Sequence, residues 1–256
     1  MRFRRRHLAI FAVAAIGALA AAGAALAVTN NVSTTTFAFT PNTPGLSKTT
    51  YKSGSLNVHT HTTFLHPADK ANGGFVKDVK LFFDSDLRFN PGSVPTCNAN
   101  LGSADMAAAI AACGTGPLVG TGTAQGTTTN AGTIPGCVLD FNAPNNSSGQ
   151  PRITLYSRFP MTDCSSPSTN HGGATNVILT GTLKPTTKPG YSKMLDVPNI
   201  DTAPLPLKDF NTTVKKNAYI QGRCSASPLH IQAVFTYSGT GQAPDTVNAT
   251  QACTGT

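Results

Sequence analysis

The stretch Phe75-Val76-Lys77-Asp78-Val79-Lys80-Leu81-Phe82-Phe83 decides the fold class. In an extended chain, successive side chains point to opposite sides. Val79, Leu81 and Phe83 therefore share one side while Asp78 and Lys80 take the other, the signature of a half-buried strand. Leu56, Val58 and Phe64 alternate in the same way along Leu56-Asn57-Val58-His59-Thr60-His61-Thr62-Thr63-Phe64. Further runs lie at 32–40, 118–123, 138–141, 153–159, 177–183, 218–221, 231–237 and 246–252. Turn clusters such as Asn72-Gly73-Gly74 and Lys188-Pro189-Gly190 divide them. Many short strands with turns between them predict an all-β fold, a β-sandwich of Ig-like or jelly-roll-like type.

Composition points the same way. All 11 acidic residues are Asp, and Trp is absent. Glu favours helix and Thr favours strand, while Asn, Gly and Pro punctuate turns. One stretch departs from the pattern: Ser103 to Ala112, rich in Ala, reads as a short helix capped by Ser103, with Asp105 complementing its positive end. Segments 40–54 and 142–151 read as loops. Residues 184–216, with six lysines and many prolines, read as a long irregular basic connection covering a sheet edge.

The N-terminus places the chain in a compartment. Four arginines precede an uncharged apolar run from Leu8 to Ala27 that ends Ala25-Leu26-Ala27. A basic start, an apolar middle and small residues at the end describe a cleavable secretory signal at 1–27. The run is nearly long enough to span a bilayer, but its small-residue end fits cleavage better than a permanent span. Cleavage leaves residues 28–256 as a single extracellular β-sandwich domain, or two packed β subdomains, with fifteen basic against 11 acidic residues. So mild a bias does not argue for nucleic-acid binding. The six cysteines, Cys97, Cys113, Cys137, Cys164, Cys224 and Cys253, all follow the signal and are expected to form three disulfides. No Cys-x-x-Cys is present, which argues against zinc or thiol redox chemistry. Fifteen pairings are open to six cysteines; pairing in sequence order is the expectation, and a Cys97–Cys113 bond would clamp the helix against a strand.

The order of features from residue 79 onward carries a resemblance. Asn90-Pro91-Gly92-Ser93-Val94-Pro95-Thr96-Cys97 is followed by the Ala-rich helix and then by Cys113 and Val119-Gly120-Thr121-Gly122. Leu205-Pro206-Leu207, Phe210, Cys224, Phe235 and Cys253 continue the pattern. This resembles a group of uncharacterised exported β proteins of soil actinobacteria, over about two-thirds of the segment after the signal. The resemblance implies fold and compartment and carries no activity.

Residues that could do chemistry are few. His59 and His61, two apart on a strand, share one side and could grip a metal with a third ligand, His66, His230 or an Asp. They are expected to be solvent-facing polar residues instead. Asp84, Asp86 and Asn90 offer oxygens for calcium, but Arg88 interrupts the ligand spacing. His171-Gly172-Gly173 is similar to an oxyanion loop, yet no Gly-x-Ser-x-Gly elbow accompanies it. Asp140, Asp163, Asp196 and Asp201 are the carboxylates available to a hydrolase. Tyr51, Tyr156, Tyr191 and Tyr237 are the surface aromatics available to a sugar. No cofactor or metal is expected. The reading that emerges is an exported, non-enzymatic protein with a binding or structural role at or beyond the cell wall. Lys208, Lys215 and Lys216 would contact an anionic wall polymer or glycan. An extracellular hydrolase acting on a polymer is the alternative.

Overall fold

The computed structural model describes residues 31–64, 74–128, 132–165, 174–216, 218–239 and 242–256. Residues 1–27, expected to be a secretory signal, and His66 and His171 lie outside the described residues. The strands are β1 (Val32–Pro41), β2 (Lys52–Thr63), β3 (Val76–Asp84), β4 (Leu87–Phe89), β5 (Leu118–Thr127), β6 (Thr133–Ala143) and β7 (Arg152–Phe159). They continue with β8 (Thr175–Pro185), β9 (Tyr191–Val197), β10 (Leu207–Val214), β11 (Ile220–Gly222), β12 (Leu229–Tyr237) and β13 (Asp245–Gln251). One helix, α1 (Met106–Cys113), precedes β5. Among the described residues the fold is all-β with a single short α-helix.

The strands join in one antiparallel sheet in the order β13-β12-β3-β9-β8-β7-β6-β5-β10-β2-β11-β4, with β1 paired along the other side of β2. The sheet curls until its ends meet. β1 and β13 run in the same direction and are joined chiefly by side chains. The Ser33 amide donates to Asp245 Oδ2 at 2.8 Å, and Gln251 bonds both backbone groups of Phe39. Beyond the strand ends, the Thr256 amide donates to the Leu46 carbonyl at 3.0 Å and the Lys48 amide donates to the Thr256 carbonyl at 3.4 Å.

Curling needs close approach, and glycine permits it. A Cβ on Gly122 of β5 would strike the Asn211 carbonyl of β10, and one on Gly120 would strike Asp140 Oδ2. The inner surface of the curled sheet buries Phe37, Phe39, Phe83, Ile231 and Phe235, each worth about 1.5–3 kcal/mol of burial. A second cluster lies outside the sheet, where α1 sets Met106 and Ala109 on Leu139, Phe141 and Tyr156. The strand β6 is therefore covered on both faces.

Cys97 is bonded to Cys113, Cys137 to Cys164 and Cys224 to Cys253. The first bond brackets α1. The third ties the end of β13 to the chain just before β12.

Three local expectations are corrected. The helix starts at Met106, and its cap is Asp105, whose Oδ1 accepts the Ala108 amide at 2.7 Å. Ser103 lies too early to reach the first turn. Residues 184–216 are not an irregular connection, because they hold β9 and β10. β10 lies inside the sheet between β2 and β5, so this segment does not cover an edge. A register shift between Leu207 and Asp209 breaks the alternation that would have revealed it. Finally, Tyr156 and Tyr237 are buried rather than superficial. Their hydroxyls bond the Ala104 carbonyl (2.7 Å) and Ser33 Oγ (2.7 Å).

Candidate functional site

The inner faces of β2, β3, β6 to β10 and β12 surround one chamber of about 120 Å³. Its wall is overwhelmingly apolar, from residues such as Leu56, Val58, Leu155, Leu179, Leu195 and Phe235. The polar exceptions are informative. Arg152 opens β7 and Lys208 lies at the start of β10, at opposite ends of the sheet. Thr60 and Thr62 of β2 lie toward the Lys208 end. Asp140 of β6 stands within the apolar part.

Asp140 is placed by strand register. It pairs laterally with Gly120 of β5 and Leu155 of β7, while its neighbours Leu139 and Phe141 point to the opposite side, under α1. Its relative exposure is 0%, and its Oδ2 accepts the Thr212 hydroxyl of β10. Its Oδ1 is buried and has no hydrogen-bond partner among the described residues. Burial pushes the carboxyl up to about 6, against the opposing effect of the Thr212 bond. Tyr219 lines the same chamber, and burial together with the Asp140 charge raises its phenol. The Tyr219 hydroxyl is turned to Asn142, whose amide nitrogen donates to the carbonyls of Pro91 (3.1 Å), Val94 (3.2 Å) and Pro95 (3.1 Å). That fan of bonds holds the Pro91–Pro95 segment against the end of β6.

The other carboxylates considered for hydrolysis, Asp163, Asp196 and Asp201, do not line the chamber, and Asp196 is paired with Lys184 at 2.5 Å. An acid–base pair of carboxylates is thus not assembled here from those residues.

His59 and His61 lie on the outer side of β2, opposite Val58 and Thr60. The structure supplies the neighbouring Asp, which is Asp209 of β10. Its Oδ2 meets His59 Nε2 at 2.8 Å and His61 Nδ1 at 3.0 Å. His230 is elsewhere, with its Nδ1 2.6 Å from Asp84 Oδ2. Among the described residues no group of three or more His, Cys, Asp or Glu is arranged to hold a metal ion.

The Asp84–Asp86 pair spends its oxygens on the protein. Asp84 Oδ1 accepts the Asp86 amide at 2.8 Å, and its Oδ2 accepts the His230 amide at 3.0 Å. Asp86 accepts from Arg223 Nε at 2.8 Å and from the amide and hydroxyl of Ser225, both at 2.6 Å. Burial alone would raise Asp86, but the Ser225 and Arg223 bonds outweigh it and hold the carboxyl below its ordinary value. The pair ties the β3–β4 turn to the chain before β12.

The three lysines separate. Lys208 lies at the chamber, while Lys215 and Lys216 follow the far end of β10, roughly 23 Å away at strand rise. Lys216 Nζ donates to the Thr115 carbonyl at 3.1 Å. Tyr51 carries two guanidinium groups, Arg88 at 4.7 Å and Arg223 at 4.8 Å from its ring centre.

Sequence reasoning counted Asp140 among four undistinguished carboxylates. One signal was present: in Cys137-Val138-Leu139-Asp140-Phe141 the residues around it are apolar at both parities, so the strand is covered on both faces and its Asp must be buried. Compared with models of protein families, with curated proteins and with solved structures, the chain matches none.

Proposed function

We propose that the protein is an exported, non-enzymatic binding protein that holds a small apolar molecule inside its curled sheet, at or beyond the cell wall. The observation that carries this reading is the apolar chamber. A cavity near 150 Å³ lined by Leu, Ile and Phe stays dry and takes up benzene, so one of about 120 Å³ suits a molecule of similar size. The exported setting is supported by the basic-apolar N-terminus and the three disulfides. No helix among the described residues is long and apolar enough to cross a membrane. The resemblance to exported actinobacterial β proteins agrees with that setting.

The test is thermal unfolding with increasing benzene or hexan-1-ol. A ligand that binds only the folded chain raises Tm in proportion to the logarithm of its concentration once above Kd. Leu179→Phe, which fills the chamber, should remove the effect. Absence of any shift in the parent protein would refute the reading.

A further inference from the structure

Asp140 gives the chamber a chemical preference. Its Oδ1 is buried and has no partner among the described residues, and the residue is one of those that line the apolar chamber. A buried acceptor left unsatisfied is costly, and a buried anion without a cation is more so. The groups facing it are known. Thr212 of β10 donates to Oδ2, β5 presents Gly120 with no side chain, β7 presents Leu155, and β2 presents Leu56 and Val58. Tyr219 is turned to Asn142. The two cations of the lining are displaced from it: Arg152 is three residues along β7 from Leu155, roughly 10 Å, and its Nε is bonded to the Pro144 carbonyl. Lys208 is four residues along β10 from Thr212, roughly 13 Å. Asp209, the other carboxylate of the lining, lies beside Lys208 at that same end, and its Oδ2 is engaged with the two histidines.

We infer that the chamber selects a small primary amine, whose ammonium bonds Asp140 Oδ1 and whose alkyl group, of about six carbons at this volume, fills the apolar part. The inference rests on the chamber reading above and adds the identity of the polar group. The carboxylate is desolvated by folding whether or not ligand is present, so only the ammonium loses water on binding, and it gains a charge-assisted bond in return. An alcohol of equal length fills the same space but brings no charge. The amine binds the ionised carboxylate. In acid Asp140 must first give up its proton, so amine affinity falls as pH drops through about 6, while alcohol affinity does not.

The experiment is calorimetric titration of the folded, disulfide-bonded protein with hexylamine, hexan-1-ol and benzene at about pH 8 and about pH 5. At the higher pH we expect hexylamine to bind at least about tenfold more tightly than hexan-1-ol, and most of that advantage to vanish at the lower pH, where about nine-tenths of the carboxyl is protonated. In Asp140→Asn the advantage should vanish at both. Equal affinity for amine and alcohol at the higher pH overturns the inference, as does an amine preference that persists in Asp140→Asn. Should that variant not fold, the pH series on the parent protein decides alone. Binding of benzene and alcohol with no amine preference sinks this inference and leaves the chamber reading standing; no binding by any of the three sinks both.

Discussion

The side-chain amide of Gln251 does the work of a strand for Phe39: its Oε1 accepts the Phe39 amide at 2.6 Å and its Nε2 donates to the Phe39 carbonyl at 2.9 Å. Asp245 serves Ser33 at the other end of the same seam, and Gln242 bonds both backbone groups of Asn31. The edge of β1 is thereby satisfied without a continuous backbone ladder to β13.

Gln251→Ala should remove both bonds to a residue that is only 1% exposed and lower stability by about 1–3 kcal/mol. Gln251→Glu retains the acceptor but not the donor and should fall between. Urea unfolding measures this. Amide exchange at Phe39 should quicken in the Ala variant, and unchanged exchange there would show that the seam is held by other contacts.

Asp140 sets a pH dependence of known sign. Its folded value near 6 lies above the ordinary 3.8, so between those values the folded chain keeps a proton that the unfolded chain has lost. Its contribution is therefore full below about pH 4 and is lost as pH rises through about 6, a change on the order of 3 kcal/mol. Asp140→Asn should gain stability relative to the parent between about pH 4 and about pH 8. A difference between the two proteins that does not vary with pH would contradict this.

Asp86 works in the opposite sense. Its carboxyl is held below the ordinary value by Ser225 and Arg223, so its contribution is present above about pH 4 and is lost in stronger acid. Asp86→Asn should cost about 1–3 kcal/mol near neutrality, and the deficit should shrink as pH falls. Denaturation curves of both proteins near neutrality and at about pH 3, below the ordinary carboxylate range, would check it.

The histidines are expected to be electrostatic partners of Asp209 rather than metal ligands. Replacing His59 and His61 with Ala should change Tm by the same small amount with and without added zinc, in keeping with exposed pairs worth about 0–1 kcal/mol. A zinc-dependent rise in the parent that disappears in the variant would reverse this assignment.

The three lysines Lys208, Lys215 and Lys216 do not form one patch, so the proposed wall association through them would have to rely on separate, screened charges. Co-sedimentation with purified cell walls should weaken steeply with salt, since exposed charges are screened beyond about 8 Å at physiological ionic strength. Retention that survives both high salt and Lys→Ala changes at all three positions would assign it to another surface.

Alternation along Val79, Leu81 and Phe83, and along Leu56 and Val58, determined by itself that the chain is built of strands with one apolar side. Strand geometry forces that pairing of sides, wherever the strand ends up. The Ala-rich run between Cys97 and Cys113 likewise carried its helix, and Asp105 rather than Ser103 as its cap is a shift of local detail. The hidden strands β9 and β10 were less legible: lysines and prolines surround them, and the register shift at Leu207–Asp209 breaks the period in β10. Only the tertiary structure decided that the strands form one sheet curled round a chamber, because neighbours in that sheet, such as β3 with β12 or β10 with β2, are far apart in the chain. The same holds for Asp140. Its residue type says carboxylate, but its raised value and its place in an apolar space come from burial beside Gly120 and Leu155, against the lowering effect of the Thr212 bond, and only the folded sheet brings these residues to it.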